Sequence, residues 1–332
     1  MRKTAYFTLI GLLILSGCAN YEKKETLSIP KIIFDTDLGP DYDDVGALAF
    51  LHAMADSGKV EILATVASNK HELVAPSIEV INTYFGRPEL AIGAPASHGV
   101  NTGSPYHWAD SITLKYPHTI TSTSEVEDAV KLYRKTLNSQ PDKSVTIVTV
   151  GFLTNLHNLL ISKPDNISHL AGKDLILKKV KNLVSMAGMF PEGKEYNIEM
   201  DSIAAEYVYR NWPGEIIFTG FETGAEIKTG LRLINSTNIQ DSPVKDAFRI
   251  SMTQSEDAKT GRMSWDQTAV LIAVYGTGDF FDIAKGTIIV QKNGTNRWKN
   301  DKVGKHKYVI QKMPVDDIAK FIEDRMMHLP VK

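Results

Sequence analysis

The chain has 332 residues, 43% hydrophobic and 23% charged, with 37 basic and 39 acidic side chains and a formal charge of −2. That length and apolar share support a sizeable core, and the charge balance lacks the basic excess of a nucleic-acid binder. No repeat of fixed period runs through it.

The chain opens Met1-Arg2-Lys3, then a largely apolar run from Ala5 to Leu15, then Leu15-Ser16-Gly17-Cys18. A positive start and a short apolar stretch describe an export signal, too short to span a bilayer as a helix. The tetrapeptide resembles the bacterial lipobox, which implies a lipid on Cys18 as the mature N-terminus. Cys18 is the one cysteine, so the folded part is expected to hold no disulfide and no thiolate metal site. Residues 1–17 then read as a signal peptide, 18–30 as a lipidated tether closed by Pro30, and 31–332 as one folded domain. Acyl chains would hold that domain to a membrane of the cell envelope.

From residue 31 short apolar β-rich runs alternate with helical spacing. Lys31–Phe34 predicts a strand and Asp44–Met54, with Val45, Leu48 and Leu51, a helix. Val60–Ala67 is a second strand and Ala75–Phe85 a second helix. Residues 97–123 are polar and turn-rich and read as a loop or flap. Strands follow at Val145–Val150, Leu183–Met186 and Glu215–Phe218, with helices opening at Thr154 or Asn155 and running from Asp201 to Arg210. Leu231–Gly261 reads as a mobile insertion. The tail from Thr287 reads as a final strand, a basic turn and a helix at Val315–Met326. Strand–helix alternation predicts an α/β fold with a mainly parallel, Rossmann-like sheet flanked by helices in a single catalytic domain. Ligands in such folds bind beyond the carboxyl ends of the strands.

After the first strand, Asp35-Thr36-Asp37-Leu38-Gly39-Pro40-Asp41-Tyr42-Asp43-Asp44 places five carboxylates in ten residues. Like charges this close oppose one another's ionisation, and a cation is the simplest compensation. Hard oxygen donors favour Ca²⁺ or Mg²⁺. Helix capping explains one or two of these acids but not five. An EF-hand loop fails, because Gly46 falls where its terminal Glu belongs. A phosphatase with an aspartyl nucleophile also starts from a strand and a D-x-D, and stays open on this segment alone.

Asp35-Thr36-Asp37-x-Gly39 followed by Asp43-Asp44 and an Ala-Leu-rich helix resembles the signature of the inosine–uridine preferring nucleoside hydrolase family, with two extra residues that include Asp41. The likeness runs from about Lys31 to about Tyr275. Ser68-Asn69 is similar to the family's Gly-Asn, and Gly93-Ala94-Pro95 with His98-Gly99 to the loop after its third strand. Val150-Gly151-Phe152-Leu153-Thr154-Asn155 resembles G-P-L-T-N. Met186-Ala187-Gly188, Glu195-Tyr196-Asn197-Ile198 and Trp265-Asp266 resemble the later motifs.

The resemblance implies a nucleoside hydrolase domain over 31–332 that cleaves ribonucleosides to base and ribose. It implies calcium held by Asp37, Asp44, Asp266 and the Val150 carbonyl, with Asp37 also the base that activates water. Asp43, Asn69, Met186, Glu195 and Asn197 would bind the substrate, with Asp43, Asn197 and Glu195 on the ribose hydroxyls. Many members carry a proton-donating His before the last Asp; here that residue is Trp265, as in the purine-preferring subgroup, where it stacks on the base. His98 is the remaining candidate acid. A ribonucleoside substrate and a membrane are the expected partners, nucleic acid is not, and homo-oligomerisation stays open. A nucleoside- or ribose-binding lipoprotein without catalysis is the competing class.

Overall fold

The computed structural model describes residue 1 and residues 29–331. Cys18 and the export signal lie outside the described residues. No described helix is long and apolar enough to cross a membrane.

The described residues form thirteen strands: β1 Lys31–Thr36, β2 Glu61–Ala67, β3 Ile92–Ala94, β4 Glu127–Asp128, β5 Val145–Thr149, β6 Val180–Met186, β7 Glu192–Lys194, β8 Ile216–Thr219, β9 Lys228–Thr229, β10 Arg262–Met263, β11 Phe281–Val290, β12 Thr295–Asn300 and β13 His306–Gln311. Eleven form one sheet in the order β4-β3-β2-β1-β5-β6-β8-β13-β11-β12-β7, and β9 pairs with β10 in a separate ribbon. From β4 to β13 all neighbours are parallel; β11, β12 and β7 add antiparallel partners at one edge. The expected mainly parallel sheet is therefore present.

The central strands are apolar on both faces because helices cover both. In β1, Ile32 and Phe34 enter one core and Ile33 the other; in β5, Val148 joins the first and Val145 and Ile147 the second. This is the two-residue alternation of a strand between two helical layers. The helix Asp43–Asp56 is buried from Asp43 through Met54, as an element covered on every side must be. The chain leaves β1 toward β2 on one side and later returns to β5 on the other, so a crevice opens at the carboxyl end of β1.

Three regions differ from the sequence expectation. The polar stretch 97–123 contains a helix, Trp108–Lys115, seated by buried Trp108 and Ile112. The expected mobile insertion is packed: in the helix Pro243–Met252, Val244, Ala247 and Phe248 are buried at helical spacing. Phe248 meets the Tyr42 ring edge-on at 5.1 Å and so backs the acidic loop. The tail supplies three strands where one was expected. β12 also pairs with β7, which anchors the chain just before Glu195.

Candidate active site

The acidic loop reaches the sheet's carboxyl edge because β1 ends there, and its last two acids open the helix Asp43–Asp56. Asp37, Asp41, Asp43, Asp44, Glu195 and Asp266 line one cavity of about 270 Å³. Val150, Met186, Tyr196, Asn197, Phe221, Arg262 and Trp265 share its wall. The volume is near the lower end for small-molecule sites, about 300–1,000 Å³, so it suits one small ligand.

Asp43, Asp44 and Asp266 each bring an oxygen to within 4.8 Å of the others, and all three are buried. The Thr36 hydroxyl donates to Asp44 Oδ1. Burial lifts the Asp44 carboxyl to about 6 even though the Thr36 hydrogen bond pulls it down. Asp266 is raised well above the ordinary range by burial and by the charges of Asp43 and Asp44. Asp37 is raised well above it by burial first and the Asp44 charge second. Carboxylates that cannot comfortably ionise together, offering only hard oxygens, fit a hard divalent cation.

Asp43 is largely engaged already. Its Oδ1 accepts from Arg262 Nε at 3.2 Å and Nη2 at 2.7 Å, and its Oδ2 accepts the Asp266 backbone N–H at 3.2 Å. Asn197 Nδ2 donates to the carbonyls of Val150 at 3.0 Å and Met186 at 3.2 Å, tying β5 to β6. Glu195 accepts from the backbone N–H groups of Asn197, Gly188 and Ile198, capping the short helix Tyr196–Met200. Burial raises its carboxyl all the same.

Below the cavity Asp35 is fully buried. Its Oδ2 accepts from the Tyr133 hydroxyl at 2.7 Å and Asn155 Nδ2 at 3.1 Å. Burial outweighs these bonds and pushes the carboxyl up to about 7. Asn155 therefore braces Asp35 and the Ala67 carbonyl, and makes no cap to its helix.

Two sequence-derived candidates stand outside the cavity lining. Asn69 is buried and spends Nδ2 on the carbonyls of Asp37 and Thr102, and Oδ1 on the N–H groups of His71 and Thr102. It holds the loop beside Asp37. His98 is exposed, and its ring meets only the Ser97 hydroxyl. Trp265 does line the cavity. Its Nε1 donates to the Phe221 carbonyl at 2.8 Å, and its ring lies 5.2 Å from that of Phe221 at 30°.

Sequence reasoning missed Arg262 and Phe221. Arg262 sits in no motif; β10 delivers it to the cavity from the ribbon with β9. Gly261 before it has φ +112°, and a Cβ there would lie 2.9 Å from Lys228 Cβ, so glycine is needed for the turn. Tyr196 was visible only as the middle of Glu195-Tyr196-Asn197.

A parallel sheet with an acidic, cation-ready cavity at its carboxyl edge defines a small-molecule site of the Rossmann-like kind. The chain belongs to the inosine–uridine preferring nucleoside hydrolase family, whose model matches residues 32–318. It is 25% identical over 189 residues to the inosine–uridine preferring nucleoside hydrolase of Leishmania major, a match covering 54% of this chain and 56% of that protein. The chain thus spans about half the length of the curated relatives it matches. In fold it is similar to a purine-preferring ribonucleoside hydrolase from Gardnerella vaginalis, with TM-score 0.69, 17% identity, and 90% and 98% of the two chains covered. It is also similar to an inosine–uridine preferring nucleoside hydrolase from Bacillus anthracis, with TM-score 0.65, 19% identity, and 90% and 99% covered.

Proposed function

We propose that this protein hydrolyses the N-glycosidic bond of ribonucleosides, purine ribonucleosides foremost, to free base and ribose, with Ca²⁺ as cofactor. The observation that carries this reading is the convergence of Asp37, Asp44, Asp266, Glu195 and Asn197 on one cavity of single-ligand size. Family membership favours it over the phosphatase reading.

Asp37, Asp44, Asp266 and the Val150 carbonyl would hold the ion, which supplies positive charge to order sugar hydroxyls and ease deprotonation of water. Asp37 takes the proton of the attacking water as general base. Asp43, fixed by Arg262 and the Asp266 N–H, is set to accept from a ribose hydroxyl. Asn197 keeps Oδ1 without a protein partner among the described residues, and Met186 and Glu195 bound the sugar end. Such a polar set rejects sugars that lack a hydroxyl. Trp265 and Phe221 provide an aromatic wall for the base, and base–aromatic stacking of about 1–3 kcal/mol favours the larger purine face.

The N-terminal sequence supports a second part of the proposal: a lipid on Cys18 tethers the domain to a membrane of the cell envelope. Incubating purified protein with inosine, adenosine, guanosine, uridine and cytidine, with and without a chelator, tests the main reading. Free base and ribose should form, fastest with purines, and chelation should abolish the reaction. Nucleoside binding without release of base would leave a non-catalytic binding protein instead.

A further inference from the structure

Among the described residues, Arg262 is the one cationic side chain lining the cavity, beside six carboxylates. Its side chain is 13% exposed. Its guanidinium lies 4.8 Å from the Tyr42 ring centroid and 5.0 Å from that of Trp265. Nε and Nη2 are spent on Asp43, and Nη2 also pairs with Asp41. Asp41 lies within the two-residue extension of the acidic loop, so that extension supplies the second jaw of a fork around the guanidinium. Nη1 has no hydrogen-bond partner among the described residues. A rigidly held cation with two unspent donors thus borders the same cavity wall as Trp265 and Phe221.

Breaking a C1′–N bond sends the electron pair to the base nitrogen. Among the described residues the cavity lining contains no histidine, and the exposed His98 is elsewhere. Ionised carboxylates would repel charge building on the base. We infer that Arg262 stabilises the departing nucleobase, with Nη1 donating to the acceptor beside the glycosidic nitrogen, N3 of a purine or O2 of a pyrimidine. This rests on the hydrolase reading. Water oxygen bonds to C1′ as its proton passes to Asp37. The C1′–N pair leaves with the base as an anion paired to Arg262. The base then takes a proton from solvent and Asp37 returns one to it, so the balance is nucleoside plus water to ribose plus base. Burial lowers the Arg262 guanidinium to about 10, which leaves it charged at neutral pH; it donates hydrogen bonds without giving up its proton.

A donor aimed at charge that develops only in the transition state contributes most when the leaving group is most basic. A residue that only pins Asp43 would affect every riboside alike. The test compares inosine with 4-nitrophenyl riboside, whose leaving group carries its charge unaided, in wild type and Arg262→Gln. The inosine kcat/KM should fall by about 10²–10³, and that of the nitrophenyl riboside by less than about tenfold. The ratio of the two, measured in one preparation, is independent of the folded fraction. Arg262→Met, which keeps the length of the side chain without its charge or donors, gives the same ratio test if the glutamine variant does not fold. Equal losses on both substrates, or an unchanged inosine rate, would overturn the inference and leave the hydrolase reading standing. A wild-type protein that cleaves neither riboside would defeat the hydrolase reading itself.

Discussion

Replacing Gly151 with alanine would place a Cβ 2.5 Å from the Asp37 backbone nitrogen and 2.6 Å from both Asp37 Cβ and Ser68 Oγ. Ordinary contact begins near about 3.4 Å, so one partner must move by about 1 Å. The surroundings resist. Val150 N–H bonds the Asp35 carbonyl and Ser68 N–H bonds the Thr36 carbonyl, each at 2.8 Å. Asp37 itself, just past the end of β1, is the part free to shift. Overpacking of this kind costs about 1–3 kcal/mol. At this chain length that lowers Tm by a few degrees, since about 1 kcal/mol shifts large domains by roughly 2–4 °C. Misplacing a catalytic group by about 1 Å costs on the order of 10²-fold in rate. Gly151→Ala should therefore remain folded, lose a few degrees by thermal unfolding, and turn over inosine about a hundredfold more slowly. A variant with wild-type turnover would show that Asp37 is not held by this contact, or is not the base.

Asp44→Ala and Asp266→Ala should each weaken Ca²⁺ binding in titration calorimetry by at least about tenfold and lower activity in step; unchanged binding in both would remove the ion from this cluster. His52 is buried and pushed down to about 3 by burial, even though its bond to Asn82 raises it; Asp56, Arg87 and His328 are the charged or titratable groups near it. A lowered folded value means the unfolded chain binds the proton first, so this contribution is complete above about pH 6.5 and is lost as pH falls toward 3, amounting to roughly 3–5 kcal/mol. His52→Gln should flatten the fall in stability over that window relative to wild type, and parallel curves would refute the assignment. Cys18→Ser should release the protein from the membrane fraction or leave its signal uncleaved; normal cleavage with unchanged attachment would rule out the lipid tether.

The order of strands and helices was legible because β1, β2, β5 and β8 carry short runs rich in Ile, Val and Phe, as a doubly covered parallel sheet requires. The tail was less legible. In β11, β12 and β13 only scattered residues such as Phe281, Ile288, Asn296 and Val309 are buried, and strands with such weak alternation resemble loops. Asp241-Ser242-Pro243 is turn chemistry, which makes Leu231–Gly261 resemble a mobile insertion around its helical stretch. Those turn residues form the start of the helix Pro243–Met252, with the Ser242 hydroxyl accepting from Lys245 N–H.

The sequence by itself determined that an acidic loop follows the first strand, and its family resemblance joined distant Asp266 to Asp37, Asp43 and Asp44, which the structure places in one cavity. Carboxylates packed that densely after a buried strand have few other uses, and the motifs fall at strand ends in a fixed order. Only the tertiary structure decided which side chains remain available there. It spends Asn69 and Asn155 on holding backbone and Asp35, leaves His98 at the surface, and brings Arg262 across 219 residues to Asp43. The physical reason is that hydrogen-bond partners and charge pairing are set by chain crossings. A local pattern names the residue types at a site, and the fold decides which of their donors and acceptors are already taken.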